Sequence, residues 1–349
     1  MIYQTYVHGG DVYRNRVTLD FSANVNPFGT PEPVRAAIRA AAEAVFRYPD
    51  PYCTALRERL AALHGVGPDA ILCGNGAAEL IFACAQAVGP KRALLPVPSF
   101  AEYETALRSV GAEPVFYPLM RENGFAVTEE ILGEITPDTD VLMLCSPNNP
   151  TGKSIGKELL SGILDRCRET GTVLFLDECF QDLCDEDKAF SLAPMLNDGD
   201  RVLLLRAFTK TYGMAGVRLG YVISKDRETL LRMSGTVQPW NVSTVAQYAG
   251  LAALSCPEWA KNARTLFAEE KPYLARELRA LGVTVLPGDA NYLLLSGVPT
   301  LYEELLKRGI LVRDCGNYRG LQKGDVRIAV RTHAENAALI AAIREALHA

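Results

Sequence analysis

The chain has 349 residues, 48% of them apolar and 22% charged, which excludes a disordered tail protein and leaves material for about two domains. Its net charge of −5 argues against nucleic acid or an anionic membrane as the main partner. The opening "MIYQTYVHGGDVYRNR" has no apolar signal core, and no apolar run is long enough to span a bilayer, so a soluble, cytoplasmic protein is expected.

From about residue 33 the chain alternates helical and strand-like patterns. "PEPVRAAIRAAAEAV" has helical periodicity with proline near its start, and "TALRERLAALHGV" is a second helix ending at Gly65. "AILCGNG" is a short strand that runs into the helix "AAELIFACAQAV". "KRALLPVPSF" predicts a strand and loop before the helix "AEYETALRSVG". "DVLMLCSPNNPTG" predicts a strand and turn before the helix "KELLSGILDRCRETG". "TVLFLDECF", "RVLLLRAFTK" and "LGYVIS" follow as strands. Continuous apolar strands spaced by helices imply an α/β fold whose mostly parallel sheet is covered on both faces. Beyond Trp240 the texture changes to long helices and then to "VTVLPGDANYLLLS", "GILVRD" and "VRIAVRT", which predict a smaller α+β domain. The expected division is an N-terminal arm over 1–30, a large domain over 31–255 and a small domain over 256–349. Nine cysteines are scattered without a C-x-x-C pair and read as small buried hydrophobes in a reducing compartment. The four histidines lack metal-ligand spacing, so no metal is expected.

In an open α/β sheet, ligands bind outside the carboxyl ends of the strands. Five features fall there: "GNGAAE" (Gly74–Glu79), Phe100 in "PSF", Asn149 in "NNPTG", Asp177 at the end of "VLFLD", and Thr209 with Lys210 at the end of "LLLRAFTK". Each alone is ordinary turn or cap chemistry. Together they suit pyridoxal 5'-phosphate. A lysine can bind its aldehyde, and an aspartate can keep the pyridine nitrogen protonated. An aromatic ring can stack on the pyridine, an amide can meet the phenolate, and a small-residue helix N-terminus with a hydroxyl and an arginine can hold the phosphate. A nucleotide loop is the competing reading, but the chain lacks both G-x-G-x-x-G at this position and G-x-x-x-x-G-K-[ST].

Through "NNPTG", "LDECF", "FTKTYGMAGVRLGY" and "GNGAAE", in that spacing, the sequence resembles the fold-type I pyridoxal-phosphate enzymes of the class I/II aminotransferase group over nearly its whole length. The resemblance implies Lys210 as the lysine that binds the cofactor aldehyde, Asp177 on the pyridine nitrogen, Asn149 on the phenolate and Phe100 on the ring face. It places Gly76, Ala77, Ala78, Thr209 and Arg218 around the phosphate. It also implies a homodimer in which Tyr48 of "RYPDP" reaches the partner subunit's cofactor. Two positions depart from many relatives: Ala207 replaces a hydroxyl residue and Phe180 replaces a tyrosine.

"HGGD", "LDFSANVNPFG", "DECF", "LVRDCGNYRGL" and "VRIAVRT" look more like the threonine-phosphate decarboxylases than the histidinol-phosphate aminotransferases. "VRIAV" reads as a strand, which would put Arg327, Ala329 and Arg331 on one face. Arg327 and Arg331 would then stand roughly 13 Å apart, too far to fork one carboxylate. Separate cationic anchors suit a small phosphorylated amino acid or amine. By resemblance Arg327 takes the carboxylate; Arg313, His8 and Asn26 are assigned to the phosphate end, and Arg331 is expected to be a surface ion-pair residue. Decarboxylation and transamination stay open, because the orientation of the bond that breaks decides between them.

Overall fold

The computed structural model describes residues 8–348. The arm contributes β1 (Leu19–Asp20). A seven-stranded sheet follows, built from β2 (Ile71–Gly74), β3 (Arg92–Val97), β4 (Glu113–Pro118), β5 (Val141–Cys145), β6 (Val173–Asp177), β7 (Val202–Ala207) and β8 (Gly220–Ile223). Its order is β2-β8-β7-β6-β5-β3-β4, parallel throughout except for β8, which runs antiparallel to both neighbours.

The side-chain period of two explains why the central strands are apolar at every position. Leu142, Leu144, Leu174, Leu176 and Leu204 enter the core on one face of the sheet. Val141, Met143, Phe175, Leu203 and Leu205 enter the core on the other. β4 was not expected as a strand, because "EPVFYP" carries two prolines; it lies at the sheet edge, where a missing N–H is tolerated.

Helix ends follow local chemistry. The helix Thr54–His64 stops at Gly65, whose φ of 66° is the left-handed cap the sequence signalled. Thr332 and Glu335 form a reciprocal capping box at the start of the last helix, His333–Leu347. A 23-residue helix, Glu258–Ala280, leads into the smaller sheet.

That sheet contains β9 (Thr284–Leu286) and β10 (Tyr292–Ser296). After β11 (Ile310–Leu311) come its remaining strands, β12 (Arg313–Asp314) and β13 (Val326–Ala329). It is antiparallel in the order β12-β13-β10-β9, while β11 pairs in parallel with β1, so the arm is tied to this part of the chain. β13 ends at Ala329, one residue before the end of "VRIAV". Arg331 therefore leaves the strand, and its Nε and Nη2 bind Glu335 Oε1 at 2.9 and 2.7 Å. It does not share a strand face with Arg327.

Candidate active site

The carboxyl ends of β5, β6 and β7 open into a cavity of about 490 Å³, closed from the other side by the arm and by β12 and β13. Lys210, Asp177, Asn149 and Phe100 border it, as do Ala77, Ala78, Thr209 and Arg218. From the far wall come His8, Arg313 and Arg327.

Lys210 sits in the single helical turn Phe208–Thr211 that follows β7. It is half-buried, with Nζ 5.5 Å from the centre of the Phe180 ring. Burial first, and then the charges of Arg327 and Arg218, lower its pKa to about 8, with Cys179 and Asp177 opposing the shift. Phe180 packs edge-on against Tyr292 at 5.1 Å, so this position contributes an apolar wall.

Asp177 ends β6 and is buried. One carboxylate oxygen accepts from Cys179 N at 2.8 Å and the other from the Tyr103 hydroxyl at 2.6 Å. Burial raises its pKa, while these donors and the Lys210 charge pull the other way. Asn149 Oδ1 accepts from Arg327 Nη1 at 2.5 Å. The same guanidinium reaches Ser22 O through Nη2 at 2.8 Å. Arg327 thereby joins the small sheet, the arm and the large sheet at one point.

At the other end, Gly76 precedes the helix Ala77–Val88 with φ 83°. A Cβ there would meet Arg218 Nη2 at 2.5 Å. A Cβ on Gly220 would meet Ala77 N at 2.7 Å. Only glycine at both positions lets the helix N-terminus lie against β8 with the Arg218 guanidinium beside it.

Arg313 and Arg327 are directly opposed in register across β12 and β13. Directly opposed residues of an antiparallel pair share a face, and two like charges there repel. Both are buried in the cavity wall. Arg313 donates to Asn317 Oδ1 at 2.9 Å and lies 4.9 Å from the centre of the Tyr318 ring.

Asn26 does not line the cavity. Its amide donates to Thr211 O at 2.9 Å and to Trp259 O at 3.2 Å, and its Oδ1 accepts from Phe28 N at 3.0 Å. It braces the turn that carries Lys210. Two residues earlier, Asn24 does face the cavity, and both of its buried amide atoms lack a protein partner, as does Arg327 Nε. His8 Nε2 lies 2.9 Å from Glu102 Oε1, which puts a carboxylate at this wall that the sequence did not announce. Tyr48 lies away from this cavity, 79% exposed and stacked on Trp240 at 4.6 Å. Tyr103 was also missed. It stands on the helix Ala101–Ser109, three residues after Phe100, which precedes that helix in an extended conformation, and no local signal in the sequence marked it.

Among the described residues no His, Cys, Asp and Glu cluster could hold a metal ion, and no helix is long and apolar enough to cross a membrane. The family described as aminotransferase class I and II matches residues 16–343. The threonine-phosphate decarboxylase of Salmonella typhimurium is 39% identical, over 97% of this chain and 96% of its own. The histidinol-phosphate aminotransferase of Symbiobacterium thermophilum is 35% identical, over 93% of this chain and 89% of its own. Among solved structures, the histidinol-phosphate aminotransferase from Clostridium acetobutylicum superposes with a TM-score of 0.87 at 27% identity, covering 95% of this chain and 99% of that one. The L-threonine-O-3-phosphate decarboxylase from Porphyromonas gingivalis gives 0.83 at 27% identity, covering 95% and 100%. With the fold, the match along the chain and these relatives in agreement, this chain is an enzyme of the class I and II aminotransferase family.

Proposed function

We propose that the cavity holds pyridoxal 5'-phosphate and that the enzyme decarboxylates O-phospho-L-threonine to aminopropanol phosphate. Support for the cofactor lies in the fit of the donor set. A lysine with lowered pKa, a buried carboxylate and an amide stand at one end of the cavity. A helix N-terminus with an arginine held against glycine stands at the other. When bound, the cofactor supplies an electron sink conjugated to the substrate amine. Asp177 would face its ring nitrogen, Asn149 its phenolate and Phe100 its ring, with Ala77, Ala78, Thr209 and Arg218 around its phosphate. Replacing Gly76 by alanine is expected to weaken cofactor retention roughly ten- to a hundred-fold, because a side chain at φ 83° is strained by about 1–3 kcal/mol and displaces Arg218. Absorbance titration of the apoprotein measures it.

The observation that carries the substrate reading is the opposed pair Arg313 and Arg327. Two buried cations on one face suit a ligand with two anionic groups. Arg327 would hold the carboxylate, and Arg313 with His8 the phosphate. Asn24, with its unpartnered amide, replaces Asn26 at that end. Fixing both ends of a short substrate would orient the bond from Cα to the carboxylate, and Lys210 would return a proton to Cα once CO2 has left.

The test is incubation with O-phospho-L-threonine and no keto acid. CO2 release is expected. Its absence, together with glutamate formed from 2-oxoglutarate and histidinol phosphate, would overturn the decarboxylase reading in favour of an aminotransferase.

A homodimer belongs to the same proposal. Phe46, Tyr48 and Tyr52, close together in the chain, are 79, 79 and 71% exposed, and Tyr48 stacks on Trp240. Sedimentation velocity is expected to give about twice the 38.0 kDa chain mass. The nine cysteines are all free and buried, which supports a reducing, cytoplasmic setting.

A further inference from the structure

We infer that Tyr103 is a positioning residue for Asp177: its hydroxyl fixes which way the carboxylate faces and keeps it a weak base, so that the cofactor ring nitrogen retains its proton. This rests on the reading that Asp177 faces that nitrogen.

The geometry is specific. The Tyr103 hydroxyl donates to Asp177 Oδ2 at 2.6 Å, the length of a charge-assisted O–H···O⁻ bond. Cys179 N donates to Oδ1 at 2.8 Å, so both oxygens are held and the carboxylate cannot rotate without losing these bonds. Both side chains are buried, and both border the cavity. The Tyr103 ring is itself held, edge-on to Phe100 at 5.7 Å and to Phe175 at 6.5 Å. The first turn of the helix Ala101–Ser109 and the residue just before it therefore carry the hydroxyl that holds the counter-ion and the ring expected to stack on the cofactor.

The chemistry follows from competition for one proton. In an N–H···O contact between a pyridinium and a carboxylate, the proton rests on the weaker acid's conjugate base. Burial makes Asp177 a stronger base, which draws the proton toward oxygen. A hydroxyl donor stabilises the carboxylate and returns the proton to nitrogen. Burial and the neighbouring Asp177 charge push the phenol well up, so Tyr103 remains a neutral donor throughout. Cys145 and Cys179 share this wall, and burial raises both thiols, so neither supplies competing negative charge.

The experiment uses holoenzyme reconstituted with cofactor labelled with 15N in its ring, read by NMR, on the native protein, Tyr103→Phe, Tyr103→His and Asp177→Asn. The nitrogen is expected to move toward its neutral shift in Tyr103→Phe and in Asp177→Asn. Tyr103→Phe is expected to lower kcat roughly 10- to 100-fold with KM little changed, the size of one lost hydrogen bond to a charged group. Tyr103→His keeps a ring N–H donor and is expected to restore most of the shift and of kcat. If Asp177→Asn moves the nitrogen and Tyr103→Phe leaves it in place, Tyr103 is not the positioning residue. If neither moves it, Asp177 does not face the nitrogen and the inference falls with that reading. If Tyr103→Phe loses the cofactor, Tyr103→His decides: retention with the native shift supports the donor role, and equal loss reduces Tyr103 to packing.

Discussion

Replacing Lys210 by alanine is expected to slow turnover by at least roughly 10²–10⁴-fold, the range lost with a single positioned proton carrier, while leaving the fold intact. The residue lies at the end of a strand whose core side chains are elsewhere, so its loss opens no cavity in the sheet interior. Initial rates of CO2 release measure the loss, and an unchanged melting temperature separates it from unfolding. The lysine also dictates a pH signature. Only the free amine attacks an aldehyde, and its pKa is lowered to about 8. Recombination of apoprotein with cofactor should therefore accelerate as pH rises through about 8 and level off above it. Arg327 and Arg218 contribute to that lowering, after burial. Neutralising Arg327 as methionine should move the midpoint upward, because a cation that disfavours the ammonium is gone. A midpoint near the ordinary lysine value in the native protein, or no movement in Arg327→Met, would contradict this account.

The second large effect concerns stability. Glu178 follows Asp177 in sequence but points to the opposite side, where it is fully buried. Its Oε2 accepts from Arg206 Nε at 2.8 Å and from Ser191 Oγ at 2.8 Å, and its Oε1 accepts from Leu192 N. Arg206 lies on β7, four residues before Lys210, and is itself buried. Truncating Glu178 to alanine strands that guanidinium, and the expected cost is about 3–5 kcal/mol. Asp182 lies 3.1 Å from Arg206 Nη1 but is nearly half exposed and replaces little of the loss. Urea denaturation checks the figure. The double variant Glu178→Ala with Arg206→Met should recover much of the stability, because the uncompensated charge has gone as well. Equal loss in the single and double variants would place the effect in packing.

How far the sequence could be read depended on whether a feature was local. Asp177 and Lys210 were legible because each follows closely on an apolar run that must be a buried strand, and Asn149 because the turn "NNPTG" comes directly after one. Gly65 was legible because a helix stop is written within one turn. Asn26 was not: the arm has no periodicity, and nothing in "SANVN" says which asparagine turns toward the cavity and which binds Thr211 O and Trp259 O. The opposition of Arg313 to Arg327 depends on cross-strand register, set by the loop between β12 and β13. Arg331 was expected on a strand face, yet the strand stops at Ala329, before the capping box that starts the last helix. The bond from Tyr103 to Asp177 spans 74 residues and needs the rotation of a helix over a sheet, which spacing does not encode.

The two arginines facing each other across β12 and β13 have one more consequence. Each burdens the protein with repulsion that the proposed dianionic substrate would relieve, so selection for a sturdier chain and selection for a working one would act on Arg313 and Arg327 in opposite directions. A lineage released from its substrate would be expected to lose one of the pair early and become more robust by doing so. Retention of both charges at this register in a relative would therefore be a record of continued use, written in the electrostatics of two short paired strands.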